Sequence, residues 1–150
     1  MINSSEAIQS LSSSSDEGLL EEIFEEMTGT VEFDFDVSVE FTYGNNSYWV
    51  STPDYEIEEL ELFGIIEIGD EQTMFGKLIS LTHEIGHCIL DLEETYKDID
   101  CVLFTESVAW YLGYNYMVSK GYRLDPSEYK EETKYAIELY RRSENARDVK

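Results

Sequence analysis

The strongest pattern along the chain is an alternation. Val31, Phe33, Phe35, Val37, Val39, Phe41 and Tyr43 are apolar, and Glu32, Asp34, Asp36, Ser38, Glu40 and Thr42 separate them. A period of two puts the two sets on opposite faces of a strand, so the spacing predicts a half-buried strand over 31–43 with an acidic outer face. Ahead of it, Leu19, Leu20, Ile23, Phe24 and Met27 follow Asp16 and Glu17 at helical spacing. That predicts a short amphipathic helix with Gly29 as its stop. Behind it, Gly44-Asn45-Asn46-Ser47 is turn chemistry, and Tyr48 to Ser51 starts a return strand that Pro53 breaks. Tyr55 to Leu62 alternates less cleanly. Ile65, Ile66 and Ile68 predict a strand over 63–68.

The second half reads as helix. Asp70 is placed to cap a helix running to about Leu90, whose apolar stripe is Met74, Leu78, Leu81, Ile85 and Ile89. A polar connector, Asp91 to Asp100, leads to a helix from about Val102 to Ser119 that ends at Gly121. Asp125-Pro126-Ser127-Glu128 supplies a cap, a proline at the first helical position and a capping-box acid. The helix it opens carries Tyr129, Thr133, Ala136, Ile137 and Tyr140 on one face. The Ser-rich residues 1–13 are expected to be a disordered or loosely docked tail, leaving 14–150 as one domain. The order of elements predicts an α+β fold, a small antiparallel or mixed sheet packed on a helix and followed by two further helices.

Composition narrows the class. At 150 residues, 42% hydrophobic and 13% aromatic, the chain can bury a core, which excludes a wholly disordered acidic protein. No apolar run approaches the roughly 18 residues of a membrane span, and the N-terminus lacks the basic and apolar regions of a secretory signal, so a cytoplasmic protein is expected. Cys88 and Cys101 are too few for a disulfide scaffold and read as two small core residues. The net charge is −23. Residues 1–119 hold 26 acids against Lys77 and Lys97, and residues 120–150 hold 7 acids against 8 bases. Such a field repels phosphate backbones, so neither nucleic acid nor a membrane is an expected partner. It attracts cations, although acids of this kind also serve solubility alone.

The chemistry lies in His83-Glu84-Ile85-Gly86-His87, an H-E-x-x-H sequence on a predicted helix. Four residues advance a helix by about 400°, which leaves His83 and His87 about 40° apart on one face and about 6 Å apart along the axis. Two imidazoles so placed reach one metal at about 2.0–2.1 Å, and Glu84 on the flank reaches a water there without becoming a ligand. Two histidines four apart with Glu following the first arise by chance in only about 0.2% of shuffles, so the pair is not treated as accidental. Gly76 and Ser80, one and two turns earlier, leave space beside the metal.

A catalytic zinc takes a third protein ligand and keeps one position open. The chain has no third histidine, and Leu90 and Glu93 stand where the longer H-E-x-x-H-x-x-G-x-x-H pattern needs Gly and His. The candidates are Glu93, Glu94, Asp98, Asp100, Cys101 and Glu106. Glu93 and Glu94 sit too near the end of the same helix to return comfortably. Glu106 is the assignment and Asp100 the runner-up. Glu106 shares a helix face with Ala109, Gly113 and Met117, and small residues let two helices approach as closely as a short carboxylate requires. Cys88 points about 100° away from His87 and reads as core. The acids of the connector do not fit calcium-loop spacing and read as a solvated loop.

His83-Glu84-Ile85-Gly86-His87 followed by Glu106-Ser107-Val108-Ala109 resembles the gluzincin branch of zinc metallopeptidases, most of all its small single-domain members such as the ImmA/IrrE-like peptidases. The resemblance covers roughly residues 63–117. It implies a zincin-like fold, one zinc held by His83, His87 and Glu106, Glu84 as general base, and an edge strand at Phe63 to Ile68 that binds substrate backbone. Trp110 stands where thermolysin-like members carry an aspartate, and Tyr111-Leu112-Gly113-Tyr114 replaces an apolar stretch common in ImmA/IrrE proteins.

The expected function is a zinc-dependent metallopeptidase, with Tyr96, Tyr111 or Tyr114 as the donor to the developing oxyanion. Its partner is a peptide or protein substrate, cationic if the cleft shares the field of Glu32, Asp34, Asp36 and Glu40. The alternatives are a zinc-binding zincin-fold regulatory protein without activity, and an acidic inhibitor or nucleic-acid mimic.

Overall fold

The computed structural model describes residues 8–51, 62–93 and 101–148, with the backbone alone at 102, 136, 139, 140 and 143–148. Strand β1 (Gln9–Leu11) is followed by helix α1 (Glu17–Phe35), strands β2 (Val37–Thr42), β3 (Tyr48–Ser51) and β4 (Gly64–Gly69), and helices α2 (Met74–Leu92) and α3 (Val102–Ser119). Strand β5 (Tyr122–Leu124) and helix α4 (Pro126–Asp148) complete the chain. The α+β class is as expected. Among the described residues no helix is long and apolar enough to cross a membrane.

Helix α1 starts where Asp16 accepts a hydrogen bond from the Leu19 amide at 3.0 Å. It does not stop at Gly29. It continues to Phe35 and ends on Asp36, which adopts a left-handed conformation at φ 53°. The first five residues of the strand predicted over 31–43 are therefore helix. The reason is a degeneracy of spacing. Positions 27, 31 and 35 lie four apart, which is both one helical turn and two strand repeats. Val31 extends the buried stripe of Leu20, Ile23, Phe24 and Met27, while Phe33, which only a strand would bury beside it, is 87% exposed.

The sheet is mixed, in the order β2-β4-β3. β4 lies in the centre, parallel to β2 and antiparallel to β3. β2 and β3 are thus not paired as a hairpin, despite the turn residues between them. The 44–47 loop instead crosses the end of β4. A side chain on Gly69 would sit 2.6 Å from the Gly44 carbonyl oxygen and 2.8 Å from the Asn45 carbonyl carbon, so only glycine admits the loop there. Asp70 ties the loop down by accepting from the Gly44 amide at 3.1 Å. It does not cap α2. Thr73 does, accepting from the Gly76 amide at 3.0 Å. The central place of β4 also overturns the edge strand implied at 63–68. Both its sides are paired, and Ile66 and Ile68 are fully buried.

β1 pairs in parallel with β5, burying Leu11 against Leu124. Residues 9–13 are docked, and packing begins before residue 14; residues 1–7 lie outside the described residues. Asp125 caps α4 through the Glu128 amide at 3.0 Å. Glu128 does not complete a capping box, because its carboxylate accepts from the Ser13 amide at 3.1 Å while the Asp125 amide bonds the Leu11 carbonyl. The core runs from α1 through β4 to α2, where Leu78, Leu81 and Ile85 of the expected stripe are fully buried and Met74 and Ile89 partly so. Cys88 belongs to it, and burial pushes its thiol up to about 12. Cys101 does not belong to the core; it is exposed at the start of α3.

Candidate metal centre

Helices α2 and α3 cross in direct backbone contact, and two glycines allow it. A Cβ on Gly86 would lie 2.5 Å from the Ala109 carbonyl carbon and 2.9 Å from its Cα. One on Gly113 would lie 2.8 Å from the Thr82 carbonyl carbon. Interhelical contact this close is what brings the carboxylate of Glu106 to the histidines.

His83 Nε2 lies 2.7 Å from Glu106 Oε2, His87 Nε2 lies 3.1 Å from Glu106 Oε1, and the two Nε2 atoms are 3.0 Å apart. Protons do not satisfy this triangle when Glu106 is ionised. Both nitrogens have to donate to reach the carboxylate, and then two donors face each other. A cation at the centre satisfies all three lone pairs. Four ligands about 2.0–2.1 Å from a tetrahedral zinc stand about 3.3 Å apart, so the triad fits after opening by a few tenths of an ångström.

Glu84 stands apart from that triangle. Side-chain atoms of His83, Glu84 and His87 also lie within 4.8 Å of one another. However, Glu84 approaches the other ring nitrogen, with Oε1 3.5 Å from His83 Nδ1. The two Nε2 atoms converge on the Glu106 carboxylate, and Glu84 flanks them. Glu84 is 4% exposed. Burial raises its pKa despite the opposing pull of both histidines. Burial also disfavours the charge on Glu106, but hydrogen bonds from His83 and His87 outweigh it and hold the carboxyl down to about 2. For His87, burial works against protonation, and the hydrogen bond to Glu106 together with the negative charges of Glu106, Glu84 and Asp91 more than offsets it, so its pKa is raised.

No protein-family model, curated protein or solved structure matches the chain.

Of the triad, His83 lines a cleft of about 740 Å³. Gly76 and Ser80 line it as expected, together with His83 and Glu84. Trp110 also lines it, a residue that no sequence pattern marks as functional. Its ring stacks on His83 with centroids 4.3 Å apart and planes 7° apart. It is held from α4, where the Tyr129 hydroxyl donates to the Trp110 carbonyl. The available signal was position, since Trp110 is one turn after Glu106 on the same helix face. The expected tyrosines are elsewhere. Tyr111 and Tyr114 line a separate groove, and Tyr96 lies outside the described residues. Among the described residues, the tyrosine on the cleft is Tyr135. Among the other ligand candidates, Glu93 ends α2 and is exposed, Cys101 is exposed, and Glu94, Asp98 and Asp100 lie outside the described residues. Glu32, Asp34, Asp36 and Glu40 do not line the cleft; they are divided between α1, its cap and β2.

Proposed function

We propose that this chain is a small zinc-dependent metallopeptidase. The observation that carries this reading is the convergence of His83 Nε2, His87 Nε2 and the Glu106 carboxylate within 2.7–3.1 Å, with buried Glu84 beside them and a cleft lined by His83 and Glu84. His83, His87 and Glu106 would hold the ion. When bound, zinc supplies the charge that lowers the pKa of a water to near 7 and polarises the scissile carbonyl.

The chain's own residues do the rest. Glu84 accepts the water's proton on its carboxylate and delivers it to the leaving amine. A raised pKa suits that exchange, because a base tuned toward neutrality both takes and returns the proton. A nearby dication pulls that pKa back down, so burial and metal set it together. Trp110 stacked on His83 restricts the ring's orientation and shields one side of the site from water.

Two measurements test the reading. Purified protein prepared without chelator should carry about one zinc per chain, and His83→Ala, His87→Ala and Glu106→Ala should each lose it. Glu84→Gln should keep the zinc while peptide hydrolysis falls at least about 100-fold. Absence of zinc from the wild type refutes the metal centre. Loss of zinc from Glu84→Gln makes Glu84 a ligand and refutes its role as base.

A further inference from the structure

The two long walls of the cleft differ in chemistry. One is α2, with Gly76, Ile79, Ser80 and His83. The other is the start of α4, with Glu128, Glu131, Glu132 and Tyr135. These four recur at i, i+3, i+4 and i+7, a single helix face. The general acidity of the chain does not account for an acidic face here, because residues 120–150 hold 7 acids and 8 bases. The charges of α4 are instead sorted. Its first three acids, Glu128, Glu131 and Glu132, line the cleft, and Lys130 lines the separate groove with Tyr111 and Tyr129. Neither lysine nor arginine lines the cleft among the described residues.

The helix dipole favours Glu128 in the first turn, but its pull falls off before Glu131 and Glu132. Glu128 sits one turn from both Glu131 and Glu132, and like charges at that spacing repel. Glu128 is occupied by the Ser13 amide. Among the described residues, no base lies within 4 Å of Glu131 or Glu132. Their charge is thus open to a cationic group entering the cleft, which His83 and Glu84 of the proposed site also line.

We propose that Glu131 and Glu132 make the cleft selective for peptides that present a cationic group beside the scissile bond. This rests on the peptidase reading and names its substrate class. A lysine or arginine side chain and a free α-amino group share the required chemistry. Two solvent-exposed ion pairs together give about a twofold to thirtyfold preference at 0.1 M salt, and screening at 1 M removes most of it.

The test is peptide binding to the zinc-loaded full-length Glu84→Gln chain, read by fluorescence anisotropy. The probes are labelled hexapeptides, N-acetylated or free, with one central residue varied among Lys, Gln and Glu. The proposal expects Lys peptides to bind twofold to thirtyfold tighter than Glu peptides at 0.1 M salt. The preference should vanish or reverse in Glu131→Lys/Glu132→Lys, whose exposed positions leave folding and zinc content intact. Preference for the free amine alone would assign the cation to the chain terminus and keep the determinants. Equal binding of Lys and Glu peptides with no preference for the free amine, a preference unmoved by the double substitution, or no peptide binding at all overturns the proposal. Hydrolysis by the wild type without charge preference refutes this inference and spares the peptidase. Charge-selective binding without hydrolysis does the reverse.

Discussion

Replacing Gly86 with alanine tests whether the helix crossing builds the metal centre. The new Cβ would lie 2.5 Å from the Ala109 carbonyl carbon. Ordinary contact begins near 3.4 Å, so α3 has to retreat by about 1 Å or more at that point, an overpacking cost of about 1–3 kcal/mol. Glu106 is one turn from Ala109 and moves with it. Its contacts to His83 and His87, now 2.7 and 3.1 Å, would open to about 3.7–4.1 Å, past the roughly 3.3 Å edge of a zinc tetrahedron. Zinc affinity should fall at least about 100-fold, beyond the usual loss of a supporting contact. The assay is competition with a chromophoric chelator, alongside circular dichroism to establish that the variant is folded. Gly113→Ala, which presses on Thr82 in the same crossing, should behave alike. Folded Gly86→Ala with native zinc affinity would refute the idea that interhelical distance places the third ligand.

Gly29→Ala is the counter-case. It lies inside α1, a Cβ there meets nothing within 4 Å, and its φ is not positive, so the alanine should stabilise the protein by about 0.5–1 kcal/mol in urea melts; destabilisation would place a kink or contact at that position. The second expectation is a pH dependence that zinc inverts. The depressed Glu106 adds stability above its ordinary 4.5, lost as pH falls toward 2, and the raised His87 adds stability below its ordinary 6.5, lost as pH rises through its folded value. The metal-free triad therefore contributes most between 4.5 and 6.5. Zinc needs neutral imidazoles, so the Tm increment on adding zinc should grow from about pH 5 to 8; an increment that is flat or larger at pH 5 would refute the ligand assignment.

The local parts of this protein were legible in its sequence. The bounds of α3, the Asp125 cap, the buried stripe of α2 and the shared face of His83 and His87 all depend on residues within a turn or two, where helical spacing is decisive. Glu106 was reachable too, because Ala109 and Gly113 record a close helix contact in their own size. Three features depended on partners distant in the chain. Residues 31–35 suit both periods, and only burial of Val31 with exposure of Phe33 selects the helix. Gly44-Asn45-Asn46-Ser47 specifies a turn but not which strand it passes, and the narrow space beside Gly69 sends it across β4. Trp110 lines the cleft because α3 crosses α2, and the acidic face of α4 joins it where β5 pairs with β1, about a hundred residues away in the chain, and Tyr129 reaches Trp110. Spacing along a chain encodes a helix face, but strand order and the walls of a cleft are set by which surfaces bury one another best, and that is decided among all the elements at once.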